Sequence, residues 1–366
     1  MRVLRQRGLP GGDGPHARRP GPGGPPDRGP RRRVELEREN PSAGIPEDAP
    51  LVALRRGALV ESVHRGRFAV CDPEGNVVEA VGDPEGYVYA RSSAKPFQAL
   101  PLLLSGAADA LGLTDEELAV ACASHNAEEP HLRAVRSILE KAGLSEDDLQ
   151  NGAHPPLYAP AAMELACRGE EPEAIHGNCS GKHAGMLAVC VHEGWATSGY
   201  RSPGHPLQVW ILEIVARVCI LEPDEILLGG DGCGVPTFGM PLTNLATGFA
   251  RLATCALPGD LAEAANRVSG AMREHPYMVG GTERFDTAVM RGTDLVCKSG
   301  AEAVFGSGSP EGWGLALKIS DGGMRALRPA ALAALSRRGV EVHGEPESSP
   351  VRDLHSQVVG ECTPLF

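Results

Sequence analysis

Strand-like patterning sits at the two ends of this 366-residue chain and helical patterning fills the middle. Any sheet must therefore be built from segments far apart in sequence, with the helices inserted between them. At the first end, Ala58–His64 and Arg67–Cys71 read as two strands across a tight His64-Arg65-Gly66 turn. A third strand, Val77–Val81, follows the turn sequence Asp72-Pro73-Glu74-Gly75-Asn76. This pattern predicts an antiparallel meander, with order starting near Val52. Apolar residues at i, i+3, i+4 spacing predict helices over Phe97–Ala110, Thr114–Ala123, Pro130–Ala142, His183–Trp195, His205–Ile220 and Leu261–Glu274. Leu295–Lys298 and Trp313–Ile319 then read as strands, Asp321-Gly322-Gly323 as a turn, Arg328–Arg338 as a helix and Val340–His343 as a last strand. The expected fold class is α/β of the α+β kind, with an antiparallel sheet flanked by helices plus a helical subdomain at about 97–290. A cleft between the two parts is the expected place for a site.

Composition limits what such a chain can do. Residues 1–33 hold nine Arg and two Asp, about +7, so the net charge of −12 leaves the remainder strongly acidic. A body of that charge repels nucleic-acid phosphates and points to a small-molecule substrate, with no nucleic-acid partner. Residues 1–45, rich in Arg, Pro and Gly, lack the apolar content to bury a core and are expected to be a disordered tail ahead of a catalytic domain at 46–366. No apolar run approaches the roughly 18 residues of a membrane helix, and no apolar segment follows the basic start as in a secretory signal. Ten cysteines in a chain of this length are too sparse for a disulfide scaffold. A cytoplasmic protein with reduced thiols and no membrane partner is the expectation.

Three short motifs supply the chemistry. Ser92-Ser93-Ala94-Lys95, Ser124-His125-Asn126 and Lys298-Ser299-Gly300 spell Ser-x-x-Lys, Ser-x-Asn and Lys-Ser-Gly, in the order used by serine-acylating enzymes of the penicillin-binding and β-lactamase kind. Ser92 and Lys95 lie three apart, on one face of a helix. Pro96 is compatible with a helix start, because a first-turn N–H has no intrahelical partner. A serine is a poor nucleophile without a base in reach. A neutral Lys95 fills that role, with Lys298 as a neighbouring cation that favours neutrality and Ser124 as a proton relay. Ser93 is the weaker candidate, since the residue three positions on is Pro96. His125, Glu128 and Glu129 carry acid–base groups, although the two glutamates also suit a helix N-terminus. A β-lactamase or peptidase-type acylase shares the same trio.

Two loops add thiols: His176-Gly177-Asn178-Cys179-Ser180-Gly181-Lys182-His183 and Gly229-Gly230-Asp231-Gly232-Cys233-Gly234. His176, Lys182, His183 and Asp231 accompany the cysteines, so the loops suit either a zinc site or buried thiols in tight turns. Their spacing matches no standard zinc motif. Gly-x-Gly-x-x-Gly and a following Gly-Lys-Ser/Thr are both missing, which sets nucleotide binding aside.

The runs SSAKPFQALPLL, ASHNAEEPH, HGNCSGKHAGMLA, GGDGCGVPTF, GGTERFD and CKSGAE together resemble the rhizobial-type, thermolabile L-asparaginase family over roughly residues 50–365. The resemblance implies a serine β-lactamase and glutaminase-like fold, usually dimeric, that hydrolyses L-asparagine to L-aspartate and ammonia. It implies catalytic roles for Ser92, Lys95, Ser124 and Lys298. It also implies one zinc ion per chain on Cys179, Lys182 and Cys233, with Asp231 beside the metal. A zinc-binding homologue without catalysis is the non-enzyme alternative. The Arg/Pro/Gly tail is covered by none of these motifs.

Overall fold

The computed structural model describes residues 46–366, which form one compact unit; the tail expected over residues 1–45 lies outside the described residues. Eleven strands form two antiparallel sheets. The strands are β1 (Ala49–Arg56), β2 (Leu59–Cys71), β3 (Val77–Val81), β4 (Tyr87–Tyr89), β5 (Leu227–Gly230), β6 (Pro236–Pro241), β7 (Val296–Gly300), β8 (Val304–Ser309), β9 (Trp313–Ile319), β10 (Ser349–Arg352) and β11 (Val358–Pro364). The large sheet runs β10-β11-β1-β2-β9-β8-β7, with β3 also pairing to β2. The two chain ends therefore supply one sheet, as the sequence pattern requires. A smaller sheet, β4-β6-β5, stands apart from it. Every residue of β8 is buried, so both faces of the sheet are covered there. The Leu242–Thr254 helix packs on β8 and β9, and the Met324–Ser336 helix on β1, β9 and β11. No helix among the described residues is long and apolar enough to cross a membrane.

Several local expectations are corrected. His64-Arg65-Gly66 is not a turn: β2 runs unbroken through it for 13 residues, and the hairpin closes at Gly57 and Ala58 instead. Gly66 pairs with Ala49 of β1 on one side and Ile319 of β9 on the other, and a Cβ there would lie 2.2 Å from the Lys318 carbonyl oxygen. The glycine answers close backbone approach rather than chain reversal. Val340–His343 is irregular, and the final strands are β10 and β11. The helix expected at Phe97–Ala110 is three short pieces. Pro101 opens the second piece, and Gly106, at φ +80°, precedes the third. The helices Ala159–Cys167, Leu242–Thr254 and Phe285–Gly292 and the strands β1, β6 and β8 were not apparent from periodicity.

Candidate active site

Ser92 lies in a 3-10 turn, Arg91–Ala94, that runs directly into the Lys95–Ala99 helix, so the first motif does open a helix. The turn is fastened at its base. The Ala90 amide donates to the Phe238 carbonyl of β6 at 2.9 Å, and the Arg91 amide donates to Thr237 Oγ1 at 3.2 Å. Arg91 has φ +51°, a strained backbone for a side-chain-bearing residue immediately before the candidate nucleophile. Ser92 is half-buried. Ser93 is buried, and its hydroxyl donates to the Ala90 carbonyl at 2.6 Å, which ties it to the turn.

The second motif reaches the first through Lys95. Thr114 and Glu117 form a capping box that starts the Asp115–Ala121 helix, and the chain leaves that helix to place Ser124 three residues later. Lys95 is fully buried, and its Nζ donates to the Ala123 carbonyl at 2.5 Å, to Ser124 Oγ at 3.0 Å and to the Asn178 carbonyl at 3.5 Å. The Lys95 amide donates to the Ser92 carbonyl, but among the described residues no hydrogen bond joins the two side chains. Burial depresses the Lys95 amine; Cys179 opposes the shift, while Lys182 and Lys298 add to it.

The third motif supports the first from the side. Lys298 is central in β7 rather than at its end. Gly300, two residues on, lies against the nucleophile turn: a Cβ there would sit 3.0 Å from the Ala90 carbonyl oxygen and 3.2 Å from the Ser92 nitrogen. Lys298 Nζ is ion-paired to Asp286 Oδ2, with both side chains fully buried, and also donates to the Ser299 carbonyl at 2.9 Å. The other Asp286 oxygen accepts the Ser299 amide at 2.9 Å. Burial would raise the Asp286 carboxyl, but Lys298 and Arg284 hold it below the usual carboxylate range. Asp286 was not among the expected site residues; its signal was the GGTERFD run, which entered only as part of the family resemblance.

The remaining expected acid–base groups are structural. His125 is buried; its Nδ1 accepts the Ala127 amide at 3.1 Å, so Nε2 carries the proton and faces Ser180 Oγ at 2.9 Å. Burial and the neighbouring His131 push it well below the ordinary imidazole range. Glu128 precedes the Glu129–Lys141 helix, but its carboxylate does not cap it. It accepts the Thr282 amide at 2.9 Å, the Thr282 hydroxyl at 2.5 Å and Asn126 Nδ2 at 3.1 Å, tying two motif loops together. Gly281 permits this contact: at φ +115° a Cβ would lie 2.4 Å from Glu128 Oε2.

The two thiol loops converge. Ligand atoms of Cys179, Asp231 and Cys233 all lie within 4.8 Å of one another. Lys182 Nζ is 3.1 Å from Cys233 Sγ, and that sulfur is 3.4 Å from Asp231 Oδ2. The nearness of Cys233 pulls the Cys179 thiol well down, and that of Cys179, with burial, pushes the Cys233 thiol up. Two thiols, a carboxylate and an amine drawn to one point form a donor set suited to a zinc-type ion. His176 and His183 do not join it. His176 Nδ1 accepts the Glu173 amide, and His183 Nδ1 meets the Tyr200 hydroxyl at 2.6 Å. Arg91, also unanticipated, links the loops to the nucleophile turn: its Nε donates to Asp231 Oδ1 at 2.8 Å.

The family model described as L-asparaginase II matches residues 52–364. Similar solved structures include a protein called Mglu in its native form, at 14% identity and a TM-score of 0.37, covering 82% of this chain and 66% of that one. The chain thus spans slightly less than two thirds of Mglu. The Bacillus subtilis glutaminase YbgJ, solved as a covalent complex with 5-oxo-L-norleucine, is 14% identical over 74% of this chain and 84% of that one, with a TM-score of 0.32. A β-lactamase from Mycobacterium bovis is 12% identical over 75% of this chain and 95% of that one, also at 0.32. No curated protein matches the sequence.

Proposed function

The chain belongs to the L-asparaginase II family, and from that premise we propose that it hydrolyses the side-chain amide of L-asparagine to L-aspartate and ammonia through an acyl-enzyme on Ser92. The observation that carries the reading is the buried Lys95 amine, held 3.0 Å from Ser124 Oγ at the start of the helix that follows Ser92. Ser92 Oγ adds to the amide carbon and its proton passes to Lys95. The Lys95–Ser124 hydrogen bond gives that proton a route to the leaving nitrogen. The C–N bond breaks, ammonia departs, and an ester remains on Ser92. Water then attacks the ester with Lys95 again as base, releasing the carboxylate and restoring the serine hydroxyl. Lys298 is ion-paired with Asp286. Its charge disfavours a second ammonium at Lys95, so Lys95 is the base of the two.

Cys179, Cys233 and Lys182 would hold a zinc ion, one per chain, with Asp231 beside it; when bound, it would supply a fixed positive charge for orienting substrate. Asp231 ties this loop to Arg91 and thereby to the nucleophile turn. All ten cysteines are free thiols, which fits a cytoplasmic setting. A homodimer completes the proposal.

Ammonia release from L-asparagine and from L-glutamine, measured for the wild type and Ser92→Ala, tests the reading. L-asparagine should be preferred and Ser92→Ala inactive. Equal activity in Ser92→Ala, or acylation by a labelled penicillin without asparagine turnover, would refute it. Zinc analysis should find one ion per chain in the wild type and little in Cys179→Ala/Cys233→Ala. Sedimentation should give the dimer mass.

A further inference from the structure

A cavity of about 800 Å³ lies away from the Ser92 turn. It opens between the Asp115–Ala121 and Glu129–Lys141 helices on one side and the segment from Arg273 to Arg291 on the other. Its walls are charged in a particular way. Arg133 contributes a cation from one wall, and Arg273 and Arg291 contribute cations from the opposite one. Lys141 is already occupied, at 2.7 Å from Glu117. Arg133 is only loosely matched, 3.8 Å from Glu129. Arg291 has no carboxylate partner among the described residues and lies over the Tyr277 ring, 5.9 Å from its centroid. Glu116 and Glu274 supply carboxylates in the same cavity. A pocket with cations on two opposed walls and carboxylates also in its lining, Glu116 near His275 at 3.9 Å and Glu274, complements a small molecule with two carboxylates and one ammonium.

The wall of this cavity is also the support of the second catalytic motif. Pro276, Tyr277 and Met278 line the cavity, and the next two residues carry the carbonyls to which Ser124 and Asn126 donate their amides, at 3.1 Å to Val279 and 3.0 Å to Gly280. A stacked column runs the same way. The Tyr277 ring lies 5.0 Å from His131, and His131 lies 5.3 Å from His125, between Ser124 and Asn126. His131 Nε2 further donates to the Tyr277 carbonyl at 2.9 Å. A ligand bridging Arg133 and Arg291 would bear on Tyr277, and Tyr277 on the loop that positions the Lys95–Ser124 pair.

We propose that this cavity is an effector site for an acidic amino acid, and that its occupation lowers activity by shifting the Pro276–Gly280 segment beneath Ser124. The natural candidate is L-aspartate, the product under the asparaginase reading; the inference rests on that reading only for the ligand's origin.

The test is calorimetric titration of L-aspartate into full-length Ser92→Ala protein, which cannot turn over substrate. Two binding events are expected, one at the Ser92 site and one in the cavity. Arg133→Ala/Arg291→Ala should remove the second or weaken it at least tenfold, while kcat/KM for L-asparagine without effector stays within about twofold. Succinate, which lacks the ammonium, and inorganic phosphate should bind the cavity at least tenfold more weakly than L-aspartate. In assays, L-aspartate should lower kcat in the wild type but act only through KM in the double variant. The absence of any binding event that the double variant removes or weakens, or phosphate binding as tightly as L-aspartate, would overturn the proposal. Calorimetry reads the cavity even if L-asparagine proves not to be a substrate, so the two readings fail separately.

Discussion

Lys95 and Lys298 are both fully buried, in two neighbouring regions of one site, and their surroundings differ in one respect. The Lys95 amine hydrogen-bonds only to uncharged oxygens, two carbonyls and a serine hydroxyl, with the Cys179 thiol as a partial counterweight. The pocket around Lys298 offers the Asp286 carboxylate. Burial disfavours an ammonium in both places. Only at Lys298 does a paired carboxylate repay it. Burial by itself therefore does not make a lysine a base; burial without a carboxylate does. One region keeps a permanent charge close at hand, and the other is free to exchange a proton.

The sharpest way to break that contrast is to remove the exchangeable amine. Lys95→Met keeps the length and apolar stem while deleting the base. It should reduce kcat by about 10⁴-fold, with a thermal unfolding midpoint close to the wild type. Steady-state ammonia release measures it; a loss under tenfold would move the base elsewhere. The complementary change is Asp286→Asn, which strands the Lys298 ammonium in the interior. Breaking a buried pair from one side costs about 3–5 kcal/mol, read as a lowered midpoint in urea. Asp286→Leu/Lys298→Met removes both charges and should recover much of that stability without restoring full activity.

A smaller effect is expected where the two regions touch. Gly300→Ala places a methyl 3.2 Å from the Ser92 nitrogen and 3.0 Å from the Ala90 carbonyl. The turn must yield by a few tenths of an ångström, and its Phe238 and Thr237 bonds resist. A misplaced nucleophile loses rate more than the fold loses stability, so kcat should fall about tenfold with unfolding free energy changed by about 1 kcal/mol or less. The measurement is kcat alongside urea denaturation of the same preparation.

These relationships were unequally visible in the sequence. Ser92–Lys95 is local, and its spacing already implied a shared helical face. Lys95–Ser124 spans 29 positions, yet both ends carried motif residues. Asp286 stood in a recognisable run, but its helix, Phe285–Gly292, escaped the periodicity, and nothing local pairs an aspartate with a particular lysine in a strand. β8 was hidden for a different reason. Its Gly306 and Gly308 lack strand propensity because the Leu242–Thr254 helix presses on them: a Cβ would come within 1.9 Å of the Phe249 ring at Gly306 and 2.1 Å of the Phe249 carbonyl at Gly308. Gly66 misled in the same way, since close packing and a turn both select glycine. Where a residue answers a distant neighbour, the local pattern holds no trace of it. The meeting of Cys179, Asp231 and Cys233 likewise joins loops some fifty residues apart, and family motifs rather than spacing pointed to it.

The gentlest probe of the Lys95–Lys298 contrast is pH, because Asp286 supplies the charge that distinguishes the two pockets. Its carboxyl ionises below the usual carboxylate range in the folded protein. In the unfolded chain it reverts to about 3.9. A depressed folded value means that the stabilisation is fully present above the unfolded value and is lost as pH falls through the folded one. The free-energy gap between the wild type and Asp286→Asn should therefore be constant from about pH 5 upward. It should shrink in more acid solution, where the wild-type carboxyl is itself protonated and Lys298 is stranded in both proteins. Urea titrations of the pair across the acid range measure it. A gap that stayed constant down to the acid limit would mean that Lys298 does not depend on the Asp286 charge, and the distinction between the two lysines would then have to come from Lys95 alone.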